Sequence, residues 1–235
     1  QMAPALERAG GAACHVTDHP APSSQWLHTD PSAHDALDPF TSLAFVAAAT
    51  TRLKLFTNVV VLPYRNPFVT AKAAATLQVL SEGRLLLGVG IGYQAAECEA
   101  LGAPYKKRGA MTDEALETIR LAWQGGAVTK KGINFDAAGV EARPLPEPPP
   151  PIWVGGGTDK AVERAARWGD GWIPYFILPS NDPVVKMSSI DSMASLSEKM
   201  KRIQDIRAKH GRTGVFDGAC GPNPWRPQAA TKSEA

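Results

Sequence analysis

From Arg52 onward the chain alternates between short runs of apolar and β-branched residues and longer segments with apolar positions at helical spacing. Such alternation is how βαβ units of a parallel sheet read. The clearest unit opens with Leu53-Lys54-Leu55-Phe56-Thr57-Asn58-Val59-Val60-Val61-Leu62, stopped by Pro63, and predicts one buried parallel strand. Asn66 then caps a helix with Pro67 in its first turn, where a missing N–H costs nothing. Val69, Ala73, Leu77 and Leu80 recur along its predicted apolar face, and Gly83 suits a left-handed stop. Arg84 to Val89 is the next strand.

Upstream, Asp38 and Pro39 open a helix in the same way, with Leu43, Val46 and Ala47 on its apolar side. Met2 to Ala9 reads as a helix ended by Gly10-Gly11, and Ala12 to Val16 as a short strand running into Thr17-Asp18-His19-Pro20. Residues 21–37 read as a polar loop. Downstream, helices are predicted over Ala95–Leu101 and Asp113–Trp123, and a hairpin insertion over Val128–Val140. Pro144 to Pro151 contains six prolines and must be extended, either as an interdomain linker or, as we prefer, as a tether into the strand at Ile152-Trp153-Val154. Gly155-Gly156-Gly157, a helix over Asp159–Trp168, a strand at Gly171–Ile173, a long amphipathic helix over Met193–His210 and a strand opening at Gly214-Val215-Phe216 complete the pattern.

The 235 residues fit one α/β barrel, which typically takes about 250 residues. With 44% hydrophobic and 20% charged residues the composition is that of a chain with a sizeable core. Lys and Arg number 25 against 23 Asp and Glu, and the longest basic run is Lys106-Lys107-Arg108, which argues against nucleic acid as a partner. No strand candidate approaches the roughly 20 apolar residues of a membrane span. Gln1-Met2-Ala3-Pro4 has neither the basic nor the apolar region of a secretory signal, so a cytoplasmic location is expected. Cys14, Cys98 and Cys220 are odd in number and widely spaced, which predicts free thiols rather than disulfides or zinc.

Three segments carry candidate chemistry. Gly88-Val89-Gly90-Ile91-Gly92 lies where a strand becomes a loop; its glycines serve either barrel packing or close ligand approach. Its spacing is not that of a dinucleotide-binding fingerprint, and no Walker lysine follows. Gly155-Gly156-Gly157-Thr158, between strand and helix, is a candidate phosphate site, because N–H groups at a helix start attract anions. Thr158 suits either a cap or a phosphate ligand. Asp18-His19 ends a strand at the rim where barrel enzymes keep their chemistry, and histidine is the usual proton carrier near neutral pH. His15 and His19 would be about 13 Å apart along a strand, so they make no metal pair. Glu97, Glu99, Asp113 and Glu114 lie in predicted helices and are read as solvated faces. No GxSxG or HExxH motif points to a hydrolase.

Thr17-Asp18-His19-Pro20, Asp38-Pro39-Phe40, Thr57-Asn58-Val59 followed by Arg65-Asn66-Pro67, Ser81-Glu82-Gly83-Arg84-Leu85 into Gly88-Val89-Gly90, and Pro151-Ile152-Trp153-Val154-Gly155-Gly156 with Gly169-Asp170-Gly171-Trp172 occur in this order. Together they resemble the luciferase-like monooxygenase family, in particular its branch dependent on coenzyme F420, over about Met2 to Gly221. The resemblance implies a TIM (β/α)8-type barrel over residues 1–221, here lacking its first and last strands, with residues 222–235 as a polar tail. It implies a non-proline cis peptide at Asn58-Val59 that props the cofactor ring, with Asp18 and His19 beside the ring. Gly90, Gly92 and Tyr93 would wall it, and Gly155, Gly156, Gly157 and Thr158 would hold the phosphate end. It further implies hydride transfer to or from a small organic substrate in a homodimer, with His19 as the proton-transfer group. Tyr175, Phe176 and Leu178 stand where some deazaflavin enzymes carry polar or basic residues, which keeps FMN as the alternative cofactor, in a monooxygenase. A flavin-binding relative without catalysis is the alternative of another class.

Overall fold

The computed structural model describes residues 2–30, 34–175, 190 and 192–218. The expected polar tail, Cys220, Phe176 and Leu178 lie outside them. Helix α1 (Met2–Arg8) stops at Gly10, whose φ of +83° is the left-handed conformation expected of glycine. Strand β1 (Ala13–Val16) follows. The segment expected as a plain loop contains a short helix, α2 (Ser24–Thr29), capped by the Ser23 hydroxyl, which accepts from the Trp26 N–H. Burial of the Trp26 ring, 5% exposed, gives this polar stretch its anchor. Helix α3 (Pro39–Ala49) starts as read: Asp38 accepts from the Thr41 N–H, Pro39 sits in the first turn, and Leu43 and Ala47 are buried.

The apolar run from Leu53 to Leu62 is not one continuous strand. It divides into β2 (Lys54–Thr57) and β3 (Val60–Val61), followed by a single turn of 3-10 helix. The register shows why. Phe56 pairs with Leu86 and Val60 with Val89, so four steps along one strand oppose three along the other. One residue is in excess and the chain bulges at Asn58-Val59, which are joined by a cis peptide bond as the resemblance implies. An apolar run signals burial; it does not report whether the ladder is unbroken.

Helix α4 (Pro67–Leu80) is capped by Asn66, which accepts from the Phe68 N–H. Its buried face is Thr70, Ala71, Ala74, Ala75, Leu77 and Gln78, whereas the expected face residues Val69 and Leu80 are 63% and 66% exposed. Small alanines let α4 approach its neighbours closely, and the Trp123 indole donates to the Ala71 carbonyl at 3.0 Å. In β4 (Leu85–Gly90), Leu85, Leu87 and Val89 join the helix-facing core, while Leu86, Gly88 and Gly90 take the opposite face.

Helix α5 (Ala95–Ala100) and α6 (Arg108–Gln124) follow, α6 opening more than a turn before the expected Asp113. Strands β5 (Val128–Lys131) and β6 (Asp136–Val140) form the expected antiparallel hairpin apart from the main sheet. The proline-rich stretch is indeed a tether. Its Pro148 carbonyl accepts from Gln78 and its Pro151 carbonyl from the Leu87 N–H, leading into β7 (Ile152–Gly155). Then come α7 (Asp159–Trp168), β8 (Gly171–Ile173), α8 (Met193–Lys209) and β9 (Asp217–Gly218). The last strand starts three residues later than expected, because Phe216 instead packs under the Arg207 guanidinium.

The main sheet has seven parallel strands in the order β1-β2-β4-β7-β8-β9, with β3 beside β4, and helices cover one face. The ends of this order do not pair with each other among the described residues. At the N-terminal ends of the strands Arg84 donates to the carbonyls of Ser81, Ala47 and Leu53 and to the Thr50 hydroxyl, joining α3, β2 and the α4–β4 turn. Asp170 does the same for β7 and α6 by accepting from the Ile152 N–H and Arg120. Replacing Arg84 by alanine is expected to destabilise the protein by about 2–4 kcal/mol, since several partly buried carbonyls lose their donor together. Urea unfolding measures this; a loss below about 1 kcal/mol would show that water takes over the role.

Candidate active site

At the C-terminal ends of the strands the bulge brings the Val59 side chain between two glycines. A Cβ on Gly90 would lie 2.6 Å from Val59 Cγ2, and one on Gly155 would lie 3.3 Å from Val59 Cγ1 and 3.2 Å from the Tyr175 ring. A side chain at Gly90 would therefore collide with the bulge, and one at Gly155 would crowd it. The Asn58 Oδ1 is buried without a hydrogen-bond partner, as are Trp153 Nε1 and His15 Nδ1. Phe56 and Trp153 meet edge to face beneath them, at 5.6 Å. Burial lowers the His15 pKa, which favours the neutral ring.

Asp18 supports this bulge from the side. Its carboxylate is 2% exposed and accepts from the Val61 N–H at 3.0 Å and from Arg65 at 2.7 Å. Arg65 extends the pairing to Asp38, the cap of α3. Asp18 thus fixes where β3 leaves the rim, with both of its oxygens engaged by the protein.

His19, next along, sits in a ring of aromatic side chains. Trp26 from α2 packs against it at 4.8 Å and 33°, and Tyr93 and His34 meet its edge at 5.6 and 5.8 Å. Burial pushes the Tyr93 pKa up to about 12, so its hydroxyl keeps its proton at neutral pH. Glu97, read from sequence as part of a solvated helix face, is instead fully buried. It lies 3.1 Å from His19 Nδ1, accepts from the Ala21 N–H at 3.0 Å, and accepts from the Tyr64 hydroxyl at 3.0 Å. Burial and then the charge of Glu97 push the Tyr64 pKa upward, so Tyr64 acts as a donor. Glu99 is exposed as expected, whereas Asp113 pairs with Arg164 and Glu114 accepts from the Ile133 N–H. Glu97 and Trp26 are the functional candidates missed in the sequence; the only signal for Glu97 was its place one turn after the glycine-rich strand end.

Gly92 has φ of +77°, and its carbonyl accepts from Arg108, which holds the loop leading to Tyr93. In the second glycine segment Thr158 caps α7 by accepting from the Ala161 N–H. The Gly156 N–H donates to the Ile173 carbonyl and its own carbonyl accepts from Trp172. With φ of +117°, Gly156 would be strained by any side chain. Asp159 in the first turn of α7 is held by Lys199 and Arg202 from α8, and these pairings lower its pKa. Among the described residues no group of three or more His, Cys, Asp or Glu side chains forms a candidate metal site, and no helix is long and apolar enough to cross a membrane.

Residues 1–212 match the family model described as luciferase-like monooxygenase. An uncharacterised protein of Mycobacterium tuberculosis is 32% identical over 226 residues, covering 92% of this chain and 73% of that protein. The F420-dependent glucose-6-phosphate dehydrogenase of Beutenbergia cavernae is 38% identical over 171 residues, covering 71% of this chain and 49% of the dehydrogenase. Among solved structures, a monooxygenase from Streptomyces bottropensis superposes with a TM-score of 0.72 at 24% identity, covering 92% of this chain and 62% of that one. The chain thus spans about half the length of the dehydrogenase and under two thirds of the Streptomyces protein.

Removal of the Asp18 carboxylate tests the account of the bulge. Asp18→Ala leaves the Val61 N–H and Arg65 without their acceptor and is expected to cost about 2–4 kcal/mol, at the lower end of a broken buried pair because Arg65 is partly exposed. The measurement is urea unfolding of protein free of any cofactor; unchanged stability would mean that Asp18 does not hold β3.

Proposed function

Because this chain belongs to the luciferase-like monooxygenase family, we propose that it is an oxidoreductase that passes a hydride between coenzyme F420 and a small organic substrate, with His19 moving the accompanying proton. One observation carries the reading. The bulge at Asn58-Val59 presents Val59 between Gly90 and Gly155, with the buried Asn58 oxygen lacking a partner. Buried polar atoms in native proteins are nearly always satisfied, so an orphan beside a cradle of glycines fits a flat ligand that brings its own donor. The 38% identity to an F420-dependent dehydrogenase supports the deazaflavin over other ring cofactors.

In this reading Asn58, Val59, Gly90, Gly92 and Tyr93 form the seat of the ring, Asp18 shapes it through β3, and Gly155, Gly156, Gly157 and Thr158 take the phosphate end. A bound deazaflavin supplies the carbon that accepts or donates the hydride. Trp26 and Tyr93 pack around His19 and limit water on that side. His19 accepts the substrate proton in one direction and returns it in the other. On family membership alone the reading extends to a cytoplasmic homodimer. The Tyr175 ring beside Gly155, where some deazaflavin enzymes carry polar or basic residues, favours a second reading, with FMN bound in a monooxygenase.

Titration of the purified protein with F420 and with FMN separates the two. F420 is expected to bind at least about tenfold more tightly, or about 1.4 kcal/mol; equal or reversed affinities would sink the cofactor assignment. Replacing His19 by alanine is expected to lower hydride transfer by about 100-fold to 10,000-fold with cofactor affinity nearly unchanged. Full turnover in that variant would remove His19 from the chemistry.

A further inference from the structure

Glu97 is the most deeply buried carboxylate among the described residues, at a position whose helical pattern reads as a solvated face. We propose that Glu97 is the positioning residue of the site: it holds His19 with the proton on Nδ1, so that Nε2 is the nitrogen that meets the substrate proton. The proposal rests on the reading of His19 as the proton-transfer group.

The hydrogen-bond chemistry around Nδ1 sets two neighbours against each other. Glu97 Oε2, 3.1 Å away, only accepts as a carboxylate, and so requires a hydrogen on Nδ1. The Gln94 amide nitrogen, 3.5 Å away, only donates, and so asks for a lone pair there. The orientation of Gln94 is fixed, since its oxygen accepts from the Ser23 N–H at 3.1 Å. Distance and charge decide the contest. A contact of 3.5 Å is at the outer limit for a hydrogen bond, whereas a bond to an ionised acceptor is about twice as strong as a neutral one. Neutral imidazole carries one N–H, so a hydrogen on Nδ1 leaves the lone pair on Nε2. That is the form able to take a substrate O–H proton while the C–H hydride leaves to the cofactor and a carbonyl forms.

The same carboxylate fixes the position of the ring. Its Oε1 accepts from the Ala21 N–H, two residues beyond His19, while Tyr64 donates to Oε2 from the turn that follows β3. Gln94 and Glu97, three residues apart at the start of α5, thereby clamp residues 19–23 at two points. Trp26 completes the hold by packing against the imidazole.

The test uses the cofactor-free protein labelled with 15N. Imidazole nitrogen shifts of neutral His19 are expected to show hydrogen on Nδ1 in the native chain. In Glu97→Gln, where an amide can donate to Nδ1, they are expected to move toward the Nε2–H form. In the loaded enzyme the same variant is expected to lose up to about 10,000-fold in kcat, as when a buried acid behind a catalytic histidine becomes an amide, with little change in cofactor affinity. In a His19→Ala background it is expected to lose nothing further. A native spectrum with Nε2–H, or a Glu97→Gln spectrum identical to the native one, overturns the proposal whatever the activity, and the native spectrum decides even if the variant fails to fold. A shifted tautomer together with full turnover in His19→Ala would retire the proton role of His19 and leave the hold of Glu97 on the ring supported.

Discussion

The extra residue between Phe56 and Val60 is the constraint on which the site depends. A parallel ladder cannot absorb an unmatched residue without turning part of one strand away from its neighbour. Here the neighbour yields. A Cβ on Gly88 would fall 2.0 Å from the Thr57 carbonyl oxygen, so that β4 can lie against the bulge only with glycine at this position. The Thr57 hydroxyl in turn donates to the Gly88 carbonyl at 2.8 Å, which closes the ladder just below the break. Gly90 accommodates Val59 by the same absence of a side chain. The glycines of the strand end are thus explained by steric need within the protein as well as by access for a ligand.

Charged groups divide between the two ends of the sheet according to how they are satisfied. At the N-terminal ends Arg84 and Arg207 are bound mainly to backbone carbonyls of neighbouring elements, and Asp170 joins the Ile152 N–H to Arg120 and Arg212, which locks those elements in place. At the C-terminal ends charge is joined to side chains with chemistry of their own: Asp18 to Arg65, and Glu97 to His19 and Tyr64. In the latter cluster the buried carboxylate is satisfied by two donors, the Ala21 N–H and the Tyr64 hydroxyl, beside the His19 imidazole. The N-terminal ends and the candidate site at the C-terminal ends are therefore built from the same residue types, distinguished by their partners.

How much of this the sequence determined follows from the range of the interactions involved. The starts of α3, α4 and α7 were legible because Asp38, Asn66 and Thr158 satisfy N–H groups only two or three residues ahead. The hairpin, the tether and most strands were legible from local pattern as well, and the ordered motifs identified the family. Local pattern could not settle which face of α4 turns inward, since alanines and a buried Gln78 define it while Val69 and Leu80 face outward. Nor could it show that β2 and β3 are separate, because both lie in one apolar run and the excess residue exists only relative to β4. Glu97 is the sharpest case. Its partners Ala21 and His19 are 76 and 78 residues away in the chain, so its burial and its contact with the imidazole arise only when α5 folds over the segment after β1. Sequence fixes what neighbours along the chain can satisfy; the tertiary structure decides which distant donors a carboxylate meets, and hence whether it faces water or holds a histidine.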